Sequence, residues 1–317
     1  MLLYTLMKLS NNNLSFFTNK VKNIPHRLKR EIYKIPPLQA IKDHVYQKAI
    51  SNHAKFLPEL DDVGTLVVNT LKTKGTCIIP IEELGLASTD DMMSTAFSLA
   101  DRLKTSVISV VGNNGCEVGS GPDDLREFPE ILLWALEPKL LNIVENYIGL
   151  PILHQGYAMR KSIADGKYSG VRRWHIDWED RRIIKIIIYL NNVVAEGGPY
   201  NYIERNITLE AIKKLNYYNL GYISDEEMAT VVRKSDWTAC LGKVGSVVIS
   251  DTSNVFHRAQ PPTDYERFSI TFCYTSAMPQ VIWGGRKITP EQWELIDRHT
   301  NQRQKQCIHK KRLASFI

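Results

Sequence analysis

Apolar residues recur at three-to-four spacing over Ala40–Ala54 and Val63–Lys74, which predicts two helices. Gly75-Thr76-Cys77-Ile78-Ile79-Pro80-Ile81 then reads as a turn followed by a short strand. Helical spacing returns over 89–104, with Ser88 and Thr89 as caps ahead of Asp90 and Asp91, and again from Pro129 to Ile148. The intervening 111–121 (VGNNGCEVGSG) is glycine-rich and reads as a loop. It has neither a Walker lysine nor a GxGxxG register, so Gly112, Gly115, Gly119 and Gly121 do not make a phosphate cradle. From about 152 the period changes to short β-rich runs: Ile183–Leu190, Val244–Ile249 and the alternating Phe268–Tyr274. Leu209–Asn216 and Asp225–Arg233 read as helical inserts. Pro290–Arg298 reads as a last helix with Thr289 as N-cap. Helices first and many short strands after predict a mainly β fold with flanking helices, a sandwich or jelly roll.

With 317 residues and 44% apolar content, the chain is long enough for one large domain or two small ones and too apolar to be disordered as a whole. No run of eighteen apolar residues occurs, so no integral membrane segment is expected. Five scattered cysteines, none in a CxxC pair, speak against a disulfide framework or structural zinc and for a reducing, cytoplasmic compartment. The net charge of +6 is uneven. Residues 1–30 and 298–317 each carry six cations and no acid, which leaves 31–297 at −6. The basic ends read as solvated termini, with peripheral contact to an anionic surface as the alternative. The first thirty residues lack an apolar h-region and a cleavage site, so a secretory signal is not expected. They resemble a mitochondrial presequence only loosely, being poor in Arg and rich in Asn. An acidic body without basic-aromatic interleaving makes nucleic acid a poor partner.

The sharpest chemical signal is Trp174-His175-Ile176-Asp177-Trp178. On extended backbone, His175 and Asp177 project to one face and Ile176 to the other. An imidazole and a carboxylate on one face are two-thirds of the facial triad that holds non-haem Fe(II) with open positions. HxD alone arises by chance in many chains, as an exposed or mutually hydrogen-bonded pair. A third ligand has to come from elsewhere, and His257, after the strand Val244–Ile249 and a short turn, is the candidate. Ten residues on, Arg267 and Ser269 share a strand face, and a guanidinium beside a hydroxyl suits a carboxylate. HxD, a distal His and then RxS is far more specific than any one part.

Over roughly residues 70–276 this pattern resembles the Fe(II)/2-oxoglutarate-dependent oxygenases, most closely their phytanoyl-CoA dioxygenase-like branch. The matching pieces are Lys74–Ile79 as the entry segment, WHxD at Trp174–Asp177, and a Gly-Pro turn at Glu196-Gly197-Gly198-Pro199. Gly245-Ser246 through His257 matches the later strand, and Arg267 with Ser269 matches the anchor. Two departures stand out: Ile203-Glu204-Arg205-Asn206 replaces a "PGSH" segment, and Ser246 replaces the Asp of "GD". The first leaves the substrate class open. The resemblance implies a double-stranded β-helix (cupin-like jelly-roll) core. It implies His175, Asp177 and His257 as ligands of Fe(II), with 2-oxoglutarate as co-substrate anchored by Arg267 and Ser269. Dioxygen would oxidise a C–H bond with release of succinate and carbon dioxide. Asp177 speaks against halogenation. The expected organisation is a basic extension (1–40), one oxygenase domain (41–290; helical buttress 41–150, strand core about 70–80 and 152–276), and a helix with a basic tail (291–317).

Around this core, Lys185, Ile187 and Tyr189 alternate on the strand after HxD. Lys185 either binds the keto acid or an anionic substrate, or snorkels to the rim. Arg160, on the strand before the motif, either faces the keto acid's near carboxylate or the substrate, or is a surface arginine. Trp178 and Tyr189 are substrate-contact candidates and Trp174 a core residue. The run Trp178–Arg182 reads as a solvated turn from which Glu179 reaches a polar substrate. His154 reads as structural; His299 and His309 are not expected to be ligands. A small, polar or specialised metabolite is the expected substrate. A lipid or acyl-CoA hydroxylase, a cupin-like oxygenase without a keto acid, and a non-catalytic jelly-roll binding protein are the competing readings. Oligomeric state is not legible.

Overall fold

Ten short strands and a set of helices follow one another in the computed structural model of the chain, which describes residues 36–105, 110–112, 117–119, 129–217, 221–280 and 290–308. The expected basic N-terminal stretch 1–30, Cys116, the Thr289 cap, His309 and the end of the basic tail lie outside the described residues. The chain divides into two units, Met1–Lys55 and Phe56–Ile317. In the first, the described element is the helix Pro36–His53.

In the second unit the helix Asp62–Lys74 starts on Asp61, whose side chain accepts from Gly64 N. It ends on Gly75, at φ +85°, whose N–H bonds Leu71 O at 3.0 Å. A Cβ at Gly75 would fall 2.3 Å from Val255 Cγ1, so only glycine permits both the helix stop and the close approach. The strands are β1 (Thr76–Pro80), β2 (Val110–Gly112), β3 (Glu117–Gly119), β4 (Ile152–Ser162), β5 (Ile184–Tyr189), β6 (Tyr200–Ile203), β7 (Trp237–Cys240), β8 (Ser246–Asp251), β9 (His257–Ala259) and β10 (Arg267–Ser276). They form two antiparallel sheets with flanking helices: seven strands in the order β1-β8-β5-β10-β4-β3-β2, and three in the order β7-β6-β9.

One face of the larger sheet meets helices. Phe272 stacks against Trp134 with ring centres 4.9 Å apart, and Tyr274 donates to Ala135 O. The other face meets the small sheet. Ile187, Tyr189 and Val248 cluster there with Tyr200, Tyr202 and Cys240. Behind the small sheet, Trp174, Ile176, Ile203 and Phe256 pack on the helices Arg205–Lys214 and Asp225–Ala229 through Ala211 and Met228.

Three sequence expectations are corrected. The glycine-rich 111–121 is not all loop: β2 and β3 pair with each other, and β3 extends the large sheet beside β4. The helix expected over 129–148 is two, Pro129–Ala135 and Pro138–Ile148, because Pro138 lacks the N–H that would continue the first and instead starts the second. The 178–182 run is not a solvated turn. Asp180 is buried and accepts from Ser276 N, and Arg182 donates to the carbonyls of Tyr147 and Ile148 at a helix end. Of the basic C-terminal run, Arg298, Arg303 and Lys305 pair with Glu294, Glu145 and Asp297.

Candidate metal and keto-acid site

Extended backbone at Trp174–Asp177 runs along the free edge of β9. His175 and His257 exchange both backbone hydrogen bonds, each 3.0 Å, which sets the two residues directly opposite. Asp177 N bonds Thr252 O at 2.9 Å, so the carboxylate is fixed beside them. The outcome is that ligand atoms of His175, Asp177 and His257 lie within 4.8 Å of one another. Residues 82 positions apart in sequence thus meet.

Each imidazole turns Nδ1 to a backbone carbonyl, His175 to Arg173 O at 2.8 Å and His257 to Val255 O at 3.2 Å. That makes Nδ1 the protonated nitrogen and aims the Nε2 lone pair at the carboxylate. The Nε2 atoms stand 3.8 and 3.7 Å from Asp177 oxygens. These gaps are too long for hydrogen bonds and of the size that one shared cation spans. Burial pulls both imidazoles below their ordinary pKa, His257 to about 3, so they stay neutral as ligands must. Burial pushes the Asp177 carboxyl up, but the charged neighbours, the Lys185 ammonium first, outweigh it and hold it below the usual carboxylate range. Two neutral nitrogens and one carboxylate are a donor set that fits Fe(II).

Lys185 points inward, its ammonium 2.5 Å from Asp177 Oδ2. Burial lowers its pKa, and Asp177 and Glu179 more than restore it. Glu179 receives Trp178 N at 2.8 Å, and burial followed by the nearby Asp177 charge raises its carboxyl. Trp178 is half-buried beside it.

The same inner face carries a polar stripe away from the histidines. Register partners share a face. Lys185 lies opposite Ser250 and Cys273, Ser269 opposite Tyr189 and Arg160, Arg267 opposite Ser162, and Ser162 opposite Glu117. Arg267 is buried. Nη2 reaches Ser162 Oγ at 3.2 Å, Nη1 donates to Gly198 O, and Nε has no hydrogen-bond partner among the described residues. A buried guanidinium with a donor left over is a place for an anion. Gly198 lies at φ +70°, and a Cβ there would sit 2.5 Å from Gln260 O, so the glycine is what lets this carbonyl reach Arg267. Arg160 is partly exposed with Nε 3.7 Å from Glu117. Tyr189 is fully buried. Its hydroxyl donates to Cys240 O and accepts from Tyr200 N, which places it as a support for the small sheet. Trp174 is buried behind the histidines, as its core reading anticipated.

Four neighbours carried no sequence signal. Tyr222 sets its ring edge-on to His175 at 5.3 Å and is half-exposed; Tyr200 stacks on His257 at 5.7 Å. Ser162 and Glu117 join Arg267 only through strand register.

No family model matches the chain, and no curated protein sequence matches it. Solved structures similar to it include HygX from Streptomyces hygroscopicus with nickel and 2-oxoglutarate bound, at 13% identity over 74% of this chain and 94% of HygX, with a TM-score of 0.47. EctD from S. alaskensis with 2-oxoglutarate and 5-hydroxyectoine is similar at 13% identity over 69% of this chain and 79% of EctD, with a TM-score of 0.47. The non-heme alpha ketoglutarate dependent epimerase SnoN from nogalamycin biosynthesis is similar at 14% identity over 68% and 83%, with a TM-score of 0.45. Each of these three proteins binds or depends on 2-oxoglutarate.

Proposed function

We propose that this chain is an Fe(II)- and 2-oxoglutarate-dependent oxygenase with a double-stranded β-helix core, of the phytanoyl-CoA dioxygenase-like branch, acting on a small polar molecule. The observation that carries this reading is the convergence of His175, Asp177 and His257 at one end of a polar stripe that leads to the buried Arg267. His175 and His257 would hold the metal through Nε2 and Asp177 through one carboxylate oxygen, while the ammonium of Lys185 would pair with the other. Arg267 with Ser269 would bind the far carboxylate of the keto acid, Gly198 and Ser162 keeping the guanidinium in place. When bound, the ferrous ion and keto acid supply the oxidation of a C–H bond by dioxygen, coupled to decarboxylation to succinate. Glu179, Trp178, Tyr222 and, on the stripe, Arg160 lie where a substrate would be recognised.

The same residues favour a polar substrate. An acyl chain laid against Glu179 and Lys185 would take their charges from water without replacing the lost hydrogen bonds, at a cost of several kcal/mol. A hydroxyl- or amine-bearing molecule replaces them.

The test is an anaerobic titration of the Fe(II) protein with 2-oxoglutarate, following the visible charge-transfer band. His175→Ala is expected to give no chelate band. Arg267→Ala is expected to need roughly 10- to 100-fold more keto acid, because a hydrogen bond to a charged group contributes about 1.5–3 kcal/mol. A band unchanged in both variants would remove the site assignment, and a protein that binds neither metal nor keto acid would be left as a binding module.

A further inference from the structure

The side chains on the reverse of the candidate metal strands are organised around one carboxylate. His175 and His257 are register partners through their reciprocal backbone bonds, so the residues beside them, Trp174 and Arg258, are also opposite one another across the same bridge. Alternation along extended backbone sends the two imidazoles to the inner face and Trp174 and Arg258 to the outer one. There the Arg258 guanidinium lies over the Trp174 ring at 4.5 Å and the Trp237 ring at 5.4 Å. Asp225 closes the arrangement. Its Oδ1 accepts from Trp174 Nε1 at 2.9 Å and also from Arg258 Nη1. The segment that carries Asp225 is itself fixed to the metal strand, because Ile223 and Trp174 exchange backbone hydrogen bonds at 2.8 and 3.1 Å.

We propose that Asp225 is a positioning residue for the metal centre: a carboxylate behind the sheet that ties the residue before one histidine ligand to the residue after the other. The inference rests on the His175–Asp177–His257 reading. Its physical content is that the spacing of two imidazoles is set by the backbones that carry them. A bond shared by Trp174 and Arg258 holds those backbones in register without touching the ion. The Arg258 side chain is only 5% exposed and that of Asp225 22%, so their charges meet in a largely dry environment where the contact is stiff. No substrate or keto acid needs to reach Asp225, which lies on the far side of the sheet.

The experiment titrates the metal-free protein with Co(II) alone and reads the affinity and the shape of the visible ligand-field band. Asp225→Ala is expected to weaken Co(II) binding by roughly ten-fold, the low end of the loss seen when a partner outside the ligand set is removed. The band should broaden as the two imidazoles lose their fixed spacing. Asp225→Asn keeps an acceptor for the Trp174 indole and should restore most of the affinity. Because Asp225→Ala leaves the Arg258 charge without this partner and risks unfolding, Trp174→Phe provides a second arm. It removes the indole donor while keeping an aromatic ring under Arg258 and should weaken Co(II) in the same direction. A purely structural role would lower the unfolding temperature of the metal-free variants and leave Co(II) affinity and band shape as in the parent, and that result overturns the proposal. His175→Ala separates the two levels. A band that survives it removes the metal centre and the clamp together. A band lost in His175→Ala but unaltered in the folded Asp225 and Trp174 variants removes the clamp alone.

Discussion

His154 is a histidine that the fold uses as if it were an aromatic hydrocarbon. It sits in β4 at 3% exposure, between the rings of Phe272 and Tyr274, and neither ring nitrogen has a hydrogen-bond partner among the described residues. Burial pulls its pKa to about 3. Above pH 6.5 both folded and unfolded chains hold it neutral, and it adds no pH dependence. Between 6.5 and about 3 the unfolded chain takes up a proton that the folded chain refuses, so stability falls as pH falls, by up to about 1.4 kcal/mol per pH unit. Urea unfolding at pH 7 and pH 5 should show His154→Leu losing less stability across that interval than the parent; equal losses would refute this account. Sequence read His154 as a partly buried structural histidine; the fold buries it almost completely. Sequence also singled out His175 and Asp177, because i,i+2 spacing on extended backbone is a one-dimensional signal, and His257 from its place after a strand and turn and ahead of Arg267 and Ser269. Ser162, Glu117, Tyr222 and Asp225 were not legible in the same way. Each takes its place through strand register or a loop return, and no local spacing encodes that Ser162 of β4 will lie opposite Arg267 or Glu117 of β3 opposite Ser162.

At the level of elements, the strands were readable to within a residue or two wherever branched residues ran together, as in β5, and weakest where glycine dominated, as in β3. The turn from helix to β1 at Gly75 was visible because only glycine serves there. The end of the described chain was not. Gln302–Gln306 is a five-residue helix with an Asn301/Gln304 capping box, far too short to hold itself in water. Docking holds it. Arg303 bonds Asn142 Oδ1 at 2.6 Å and Glu145 Oε2 at 2.7 Å, Gln304 Nε2 bonds Leu136 O, and Cys307 O accepts from His154 N. Sequence showed only a cation in a basic run. Arg303→Ala should therefore cost about 1–2 kcal/mol, an amount that discounts the partial exposure of the arginine. Lys305→Ala, whose partner Asp297 is largely exposed, should cost less than about 1 kcal/mol. Thermal melts of the two variants side by side check the order, and a larger loss in Lys305→Ala would show that the short helix is held in some other way.

For the whole molecule, the two sheets divide the work. The larger one supplies the polar stripe with the buried Arg267, and the smaller one supplies His257 and the edge on which His175 is laid. That antiparallel strands would be flanked by helices was legible because helices precede strands in the chain; which strands would face each other was not, since that depends on pairings between distant segments. The reciprocal bonds between His175 and His257 have a consequence for the lifetime of the native state. They close a loop of 82 positions, an entropically late event during folding. Contacts that form after the rate-limiting barrier retard escape from the native basin and leave the approach to it nearly untouched. In stopped-flow denaturant jumps, Co(II) at saturating concentration should slow the unfolding limb and scarcely change the refolding limb. The edge pairing of two short segments would then act as a latch, one whose strength is set by an ion taken up from solution.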